Sequence, residues 1–336
     1  AFFAVFFAPA FFAMCSLQSA PGHYTTRLIP PPRLRLSGMR ILLTNDDGIR
    51  AHGIAALHDA LLDPEGRYGG PIAGPSTEIF TVAPLTVQSA TGHGVTFHKP
   101  LMVSRVEVSP RFAGFAVDAR PADCVKVAVA GIWPDHFGQG AKPDLVISGM
   151  NEGANCGINV VYSGTVAAAL EGAFLGIPSI AVSLHMGKGR ARFDVAAARA
   201  RKVIAGILAA SNLKPHDCLS INIPITEAGG PMPHVRVAPM NTHGLVDSYE
   251  KRLSPDGRTY YWPAGHGLDF RRMDPGSDVD YLLRRCITVT PLSYDLSNHA
   301  RTPEWTGRLA QVLPEAQECP DDRRDPSMPS PLDQGD

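Results

Sequence analysis

The stretch RILLTNDDG, residues 40–48, decides the fold and marks the first candidate site. Arg40–Thr44 is an apolar run without polar alternation, which is typical of a strand buried on both faces of a parallel sheet. Two adjacent carboxylates, Asp46 and Asp47, follow where this strand meets a loop. A hard divalent cation would relieve their mutual repulsion by taking oxygen ligands from both. The alternative is a turn in which one Asp caps the next helix.

Strand and helix patterns alternate downstream of this stretch. Buried strands are predicted at Ile79–Ala83, Asp144–Ser148, Ser179–Leu184 and Cys218–Ile223. Helices are predicted around the apolar positions Ile54, Leu57, Leu61 and Leu62, and at Ala122–Ala130, Gly164–Leu175 and Val195–Ala210. Repeated β-α units with short connections predict an α/β fold with a doubly wound, mostly parallel sheet in a Rossmann-like three-layer sandwich.

The alternation breaks near Pro231, and the two ends of the chain differ from its middle. Tyr260–Trp262 and Cys286–Pro291 suggest hairpins, so residues 231–300 are interpreted as a hairpin-rich arm that packs against a partner. The folded domain is predicted at 39–314. Residues 1–38 are interpreted as a disordered or non-native extension, because no basic residue precedes their apolar run. Residues 315–336 are interpreted as a disordered tail.

Composition excludes several classes of protein. The 336 residues carry a net charge of −1, which argues against a surface built to coat nucleic acid. The apolar run at the start is too short to span a bilayer, so no membrane association is predicted. The six cysteines are scattered without a C-x-x-C pair, which supports neither a zinc site nor a disulfide framework. We therefore predict a reducing compartment, the cytoplasm.

Oxygen-bearing side chains follow three of the predicted strands. Asp46 and Asp47 follow the first, Ser89 lies in the segment after the second, and Asn151 follows the third. Ligands bind beyond the carboxyl ends of strands in an open parallel sheet, so these side chains are expected to converge. Such a set suits Mg²⁺, Mn²⁺ or Ca²⁺ better than zinc. Taken singly, Ser89 reads equally well as a turn serine and Asn151 as a residue that satisfies its own loop.

A candidate anion site opens the helix predicted at Gly164–Leu175. Its unpaired N–H groups and positive dipole end attract anions, and Ser163 and Thr165 add hydroxyl donors. The alternative is an ordinary Ser or Thr N-cap, which is compatible with a phosphate pocket.

Familiar catalytic motifs are missing from the sequence. There is no GxxxxGK[ST], no convincing GxGxxG, no GxSxG elbow and no HExxH. Five histidines are candidates for proton transfer and none is distinguished by its context: His52, His93, His98, His185 and His243.

Three motifs together resemble one family. NDDG at 45–48, SGMN at 148–151 and YSGTVAA at 162–168 occur in the order found in SurE-type nucleotidases. The resemblance covers roughly residues 39–313. It departs from the family pattern at 85–88, where Leu-Thr-Val-Gln replaces a segment that usually carries arginines, and at 119–121 and 238–241.

The resemblance implies a metal-dependent phosphatase that hydrolyses nucleoside 5′-monophosphates, often with activity on 3′-nucleotides and short polyphosphate. One divalent cation, Mg²⁺ or Mn²⁺, is implied as cofactor, and a homodimer or homotetramer with an exchanged C-terminal hairpin as the assembly. The implied catalytic residues are Asp46 and Asp47. The implied metal ligands are Asp46, Asp47, Ser89 and Asn151, and the implied phosphate contacts are Asn155, Ser163, Gly164 and Thr165.

Two other functions are the alternatives to this interpretation. A haloacid-dehalogenase-like phosphatase would need a spaced Asp-x-Asp after the first strand, and the adjacent Asp46-Asp47 pair argues against it. A catalytically weakened nucleotide-binding or interaction protein on the same fold is the second alternative. The sequence does not choose between water and an aspartate as the nucleophile.

Overall fold

A computed structural model describes residues 38–210, 213–264 and 267–313. Eleven strands lie in these ranges: β1 Arg40–Thr44, β2 Glu78–Pro84, β3 Val103–Ser109, β4 Phe112–Val117, β5 Leu145–Glu152, β6 Ser179–Leu184, β7 Cys218–Ile223, β8 Val235–Val237, β9 Tyr249–Leu253, β10 Thr259–Pro263 and β11 Ile287–Leu292. The helices in the same ranges are α1 His52–Leu62, α2 Pro121–Val127, α3 Trp133–Phe137, α4 Gly164–Phe174, α5 Phe193–Ala210, α6 Asp278–Leu283 and α7 Thr302–Val312. A π-helical turn at Ala128–Ile132 joins α2 to α3, and a 3-10 helix at Gly157–Tyr162 precedes α4.

Nine of the strands form one sheet in the order β3-β4-β2-β1-β5-β6-β7-β11-β8. The strands from β2 to β7 in this order run parallel, and β3 and β11 are antiparallel to β4 and β7. From β1 the chain continues to β2 on one side of β1, and it later forms β5 on the other side of β1. The sheet therefore has a topological switch point between β1 and β5, where the carboxyl ends of these strands open a crevice.

Helices cover both faces of the sheet, which confirms the three-layer α/β prediction. Ile41 and Leu43 of β1 are fully buried in a cluster with residues of α1 and α5. Leu42, between them, is fully buried in a second cluster with α2 and Trp133. Both faces of β1 are apolar because each is covered by helices.

Most of the predicted elements form close to the predicted positions. β1, β6 and β7 have the predicted bounds, and β5 continues four residues beyond Ser148. The predicted helix Ala122–Ala130 is shorter as an α-helix, because the π-helical turn begins at Ala128. Helix α4 ends as predicted beside Gly176, whose φ of 76° favours glycine. The edge strand β3 and its neighbour β4 were not predicted.

The two predicted hairpins have different outcomes. The hairpin at Tyr260–Trp262 is confirmed, because β9 and β10 pair antiparallel as a separate two-stranded sheet. The hairpin at Cys286–Pro291 is wrong: β11 lies inside the main sheet, antiparallel to β7 and parallel to β8. Part of region 231–300 therefore completes the central sheet. The domain limits stay a prediction. The predicted extension, residues 1–38, lies outside the described ranges except for Gly38, and the predicted tail, residues 315–336, lies outside them.

None of the helices in the described ranges combines the length and the apolar character needed to cross a membrane.

Candidate active site

The loop after β1 places Asp46 and Asp47 at the switch point. The side-chain amide of Asn45 donates to the carbonyl of Gly48 at 2.9 Å and closes the turn between them. Gly48 has a φ of 94°, a conformation that favours glycine. Asp46 is 4% exposed, and Asp47 is half-buried. The NDDG motif thus fixes two carboxylates at the carboxyl edge of the sheet, as predicted.

Asp46 contacts the first turn of α4. The hydroxyl of Thr165 donates a hydrogen bond to its carboxylate. Burial raises the pKa of Asp46, the hydrogen bond from Thr165 opposes that effect, and the charge of Asp47 adds to it, which leaves the pKa at about 6. Asp46 is therefore a carboxylate whose charge the protein only partly compensates.

Asp47 faces the end of β5. Its carboxylate accepts a hydrogen bond from the backbone N–H of Glu152 at 2.9 Å. Burial raises its pKa, and burial together with the charge of Asp47 raises the pKa of Glu152. In the part of the chain that the structure describes, no cationic side chain is among the groups that shift the pKa of Asp46 or Asp47. The two aspartates thus have no cationic partner of this kind among the described residues, whereas the charge of His52 opposes the rise in the pKa of Glu152.

Ser89 and Asn151 each adjoin a residue that contacts the acidic pair. The backbone N–H of Gln88 donates to the backbone carbonyl of Asp46 at 2.8 Å, which ties the residue before the exposed Ser89 to the main chain of Asp46. Asn151 directly precedes Glu152, which contacts Asp47. The amide nitrogen of Asn151 donates to the carbonyl of Gly153 at 2.7 Å, which leaves its side-chain oxygen free to accept a ligand.

This donor set fits a single hard divalent cation. It consists of two carboxylates with raised pKa, one hydroxyl and one amide oxygen, and oxygen ligands of this kind suit Mg²⁺ or Mn²⁺. No group of three or more His, Cys, Asp or Glu side chains among the described residues is arranged to hold a metal ion. A site richer in nitrogen or sulfur, as zinc prefers, is therefore absent from that part of the chain.

The start of α4 lies against the acidic pair. A Cβ on residue 164 would lie 2.9 Å from the Cβ of Asp46, so only glycine allows this approach. Ser163 accepts a hydrogen bond from the backbone N–H of Val166 at 3.1 Å and thereby serves as the N-cap. The hydroxyl of Thr165 is engaged by Asp46. Because Ser163 accepts at its oxygen, its O–H is still able to donate, whereas the O–H of Thr165 is used by Asp46. The predicted anion site therefore has the backbone N–H groups and one of the two hydroxyls that were predicted as additional donors.

Asn155 is held rigidly at the same edge of the sheet. Its side-chain nitrogen donates to the hydroxyl of Ser183 at 2.9 Å, and its backbone N–H donates to the Asn222 side chain at 2.8 Å. Asn222 donates back to the carbonyl of Asn155 at 3.0 Å. The assignment of Asn155, Ser163, Gly164 and Thr165 as phosphate contacts stays a prediction, as does the ligand set.

Sequence reasoning missed one group of residues near the site. Nε2 of His93 lies 2.8 Å from a carboxylate oxygen of Glu171, whose other oxygen lies 3.1 Å from the Lys126 ammonium. The sequence does not distinguish His93 from the other candidate histidines. A usable signal was Glu171 itself, because a single acidic residue in the otherwise apolar helix GTVAAALEGAF requires a partner.

The fold and the site together define an α/β protein with an acidic, oxygen-lined crevice beside a helix N-terminus at the switch point of its sheet. Residues 41–245 match the family model described as survival protein SurE. The chain therefore belongs to the SurE family, and the resemblance noted in its motifs is confirmed.

Relatives support this assignment over most of the chain. The 5′-nucleotidase SurE of Heliobacterium modesticaldum is 40% identical over 280 residues, which cover 80% of this chain and 92% of that protein. The 5′-nucleotidase SurE of Rhodopirellula baltica is 42% identical over 259 residues, 77% of this chain and 94% of that one. The crystal structure of the SurE protein from Aquifex aeolicus has a TM-score of 0.64 and 32% identity, covering 80% of this chain and 99% of that chain.

Proposed function

We propose that this protein is a metal-dependent 5′-nucleotidase that hydrolyses nucleoside 5′-monophosphates to nucleoside and phosphate. Membership of the SurE family, whose relatives carry the name 5′-nucleotidase, supports phosphatase chemistry. The observation that carries the proposal is the contact between Asp46 and the first turn of α4, because we propose that Asp46 binds the cation and that this helix end binds the phosphate. A phosphomonoester needs both features in one place.

The residues of the chain have separate roles in this proposal. Asp46, Asp47, Ser89 and Asn151 would hold the cation, and Thr165 keeps the Asp46 carboxylate turned towards α4. A bound divalent cation supplies charge neutralisation, polarisation of a phosphoryl oxygen and orientation of the attacking water. Backbone N–H groups at the start of α4 and the side chain of Asn155 would stabilise negative charge on the equatorial phosphoryl oxygens.

Two candidate nucleophiles are compatible with this arrangement. A water molecule held at the acidic edge can attack phosphorus, and so can one of the two aspartates. Either route needs a deprotonated carboxylate at Asp46, whose pKa is about 6. The proposed activity therefore falls in acid, where a proton competes with the cation for Asp46.

The substrate range, assembly and compartment belong to the same proposal. Action on 3′-nucleotides and short polyphosphate is proposed from the family resemblance. A homodimer or homotetramer is proposed because the β9–β10 hairpin projects exposed aromatic side chains. A cytoplasmic location is proposed because Cys124, Cys156, Cys218 and Cys286 are free thiols.

A phosphate-release assay tests the function. The full chain would be assayed on AMP, GMP, 3′-AMP and polyphosphate, with Mg²⁺ or Mn²⁺ and with EDTA. Release from AMP that EDTA abolishes, and that Asp46→Asn and Asp47→Asn reduce by at least about a hundredfold, is expected. Near-normal activity of either variant would overturn the assignment of the acidic pair. Nucleotide binding without release would favour the alternative of a catalytically weakened binding protein.

A further inference from the structure

The segment that carries Ser89 is a surface loop with few points of attachment near the serine. It leaves β2 at Pro84, and Ser89 itself is exposed. Ala90 and Gly92 both have a φ of 56°, so the chain reverses direction immediately after the serine. A metal ligand on such a loop needs anchors, because a shift of about 1 Å is enough to spoil coordination.

The loop is anchored on both sides of Ser89, by one contact before the serine and two after it. On the first side, the backbone N–H of Gln88 contacts the carbonyl of Asp46 at 2.8 Å. On the other side, the backbone N–H of Gly92 contacts the carbonyl of Tyr162 at 3.0 Å, and the imidazole of His93 reaches Glu171 on α4 at 2.8 Å. His93 is the side-chain anchor closest to the serine.

The His93 side chain contacts two residues of α4, Glu171 and Phe174. Glu171 is 3% exposed, and the His93 ring stacks on Phe174 with centroids 4.9 Å apart and an interplanar angle of 6°. Burial raises the pKa of Glu171, but the hydrogen bonds from His93 and Lys126 outweigh it and hold the pKa below its ordinary value. Glu171 is therefore a buried carboxylate that retains its charge because two groups share it.

Helix α4 thus connects two of the proposed metal ligands. Its first turn holds Asp46 through Thr165, and its second half holds the Ser89 loop through Glu171 and His93. Thr165 and Glu171 are six residues apart, or about 9 Å along a rigid helix axis. Beside the direct hydrogen bond between Gln88 and Asp46, helix α4 therefore gives a second link that supports the spacing of Asp46 and Ser89.

We propose that His93 is a positioning residue, which holds the Ser89 loop against Glu171 so that Ser89 reaches the cation bound by Asp46 and Asp47. This inference rests on the proposed function, because it assumes that a cation binds there. His93 itself does not contact the cation or the substrate in this scheme. Loss of such a supporting contact lowers metal affinity by about ten- to a hundredfold in comparable sites.

The pair formed by Lys126 and Glu171 provides a matched control. Lys126→Met removes the second partner of the same buried carboxylate, yet Lys126 lies on α2 and does not anchor the loop. If the cluster only stabilises the fold, His93→Ala and Lys126→Met should have similar effects. If His93 positions Ser89, only His93→Ala should weaken metal binding.

The experiment measures binding of Mn²⁺ to the metal-free full chain by titration calorimetry or electron paramagnetic resonance, without substrate. His93→Ala is expected to weaken Mn²⁺ binding about tenfold or more, and Lys126→Met less than about twofold. His93→Phe keeps the ring on Phe174 but lacks the donor, and should resemble the Ala variant. His93→Gln keeps a donor and should recover part of the affinity.

Thermal unfolding of each variant separates positioning from folding. Equal Mn²⁺ affinities for His93→Ala and Lys126→Met, or full affinity of the Phe variant, would overturn the inference while leaving the proposed function intact. Failure of the unmodified protein to bind Mn²⁺ would overturn both.

Discussion

The hydroxyl of Thr165 donates a hydrogen bond to the carboxylate of Asp46, although 119 residues separate the two in the chain. This contact joins the loop after the first strand to the first turn of α4. It also moderates the charge of a carboxylate that burial would otherwise drive strongly towards its neutral form. The contact and the groups around it lead to three expected outcomes.

The free energy of unfolding of the metal-free protein should depend on pH through the titration of Asp46. Its pKa rises from 3.8 to about 6 on folding, chiefly through burial. The folded state therefore binds the proton of Asp46 more tightly than the unfolded state does. The resulting stabilisation of the folded state is complete below about pH 4 and is lost as the pH rises through 6. The change from 3.8 to about 6 corresponds to roughly 3 kcal/mol.

Urea unfolding of the unmodified protein and of Asp46→Asn, both in EDTA, measures this effect. The stability of the variant relative to the unmodified protein should increase between pH 4 and pH 7 by up to roughly 3 kcal/mol. Parallel stability profiles would contradict the raised pKa. Added Mn²⁺ should reverse the order at pH 7, because only the unmodified protein keeps the full ligand set.

Replacing Thr165 by Val should shift the acid limb of nucleotidase activity to higher pH. The variant keeps the side-chain volume but removes the hydrogen bond that lowers the pKa of Asp46. At pH 6 and a limiting Mn²⁺ concentration, kcat/KM is expected to fall about tenfold, because the proton then competes better with the cation for Asp46, and the fall should be smaller at pH 8. Thr288→Val is the control, because Thr288 is fully buried on β11 and its hydroxyl has no hydrogen-bond partner in the described structure. An unshifted pH profile for Thr165→Val would contradict the role of this hydroxyl.

Replacing Gly164 by Ala should inactivate the protein although Ala favours helices. The added Cβ would lie 2.9 Å from the Cβ of Asp46 and 3.0 Å from a carboxylate oxygen, so Asp46 has to move. We expect at least about a hundredfold loss of kcat/KM. The control is Gly206→Ala in α5, where no atom lies within 4 Å of the new Cβ. That variant should gain about 0.5–1 kcal/mol of stability without loss of activity. Equal activities of the two variants would contradict the close contact.

The strands that could be predicted are those whose local apolar pattern matches their burial in the structure. The strand β1 was predictable because Ile41, Leu42 and Leu43 are all fully buried between two helical layers. The strand β3 was missed because it lies at the sheet edge, where most residues of VSRVEVS are exposed. Its neighbour β4 was missed because FAGFAV has a central glycine and a half-buried centre. The segment that forms β11 was misread because its neighbours in the sheet, β7 and β8, are decided by tertiary packing and leave no local signal.

In the candidate site, too, the features set by local sequence could be predicted and those set by tertiary packing could not. Strand ends and a helix start are visible in the sequence, so the convergence of Asp46, Asp47 and Asn151 at one edge could be predicted. The atoms that each side chain contacts could not, because they depend on how closely α4 approaches the sheet. Thr165 was therefore predicted as a phosphate donor, whereas its hydroxyl contacts Asp46 in the structure.

The exposed hairpin β9–β10 should mediate self-association. Tyr249, Leu253, Tyr261 and Trp262 are each about 60% exposed or more, on a two-stranded sheet that is marginal by itself in water. Burial of these side chains against a second copy would remove apolar surface from water, at about 25 cal/mol per Å². Trp262→Glu is therefore expected to shift the protein from dimer or tetramer to monomer in light scattering coupled to size exclusion. Phe97→Glu, at a side chain that is 78% exposed outside the hairpin, is the matched control and should keep the assembly. A monomeric unmodified protein, or an unchanged mass for Trp262→Glu, would contradict this role of the hairpin.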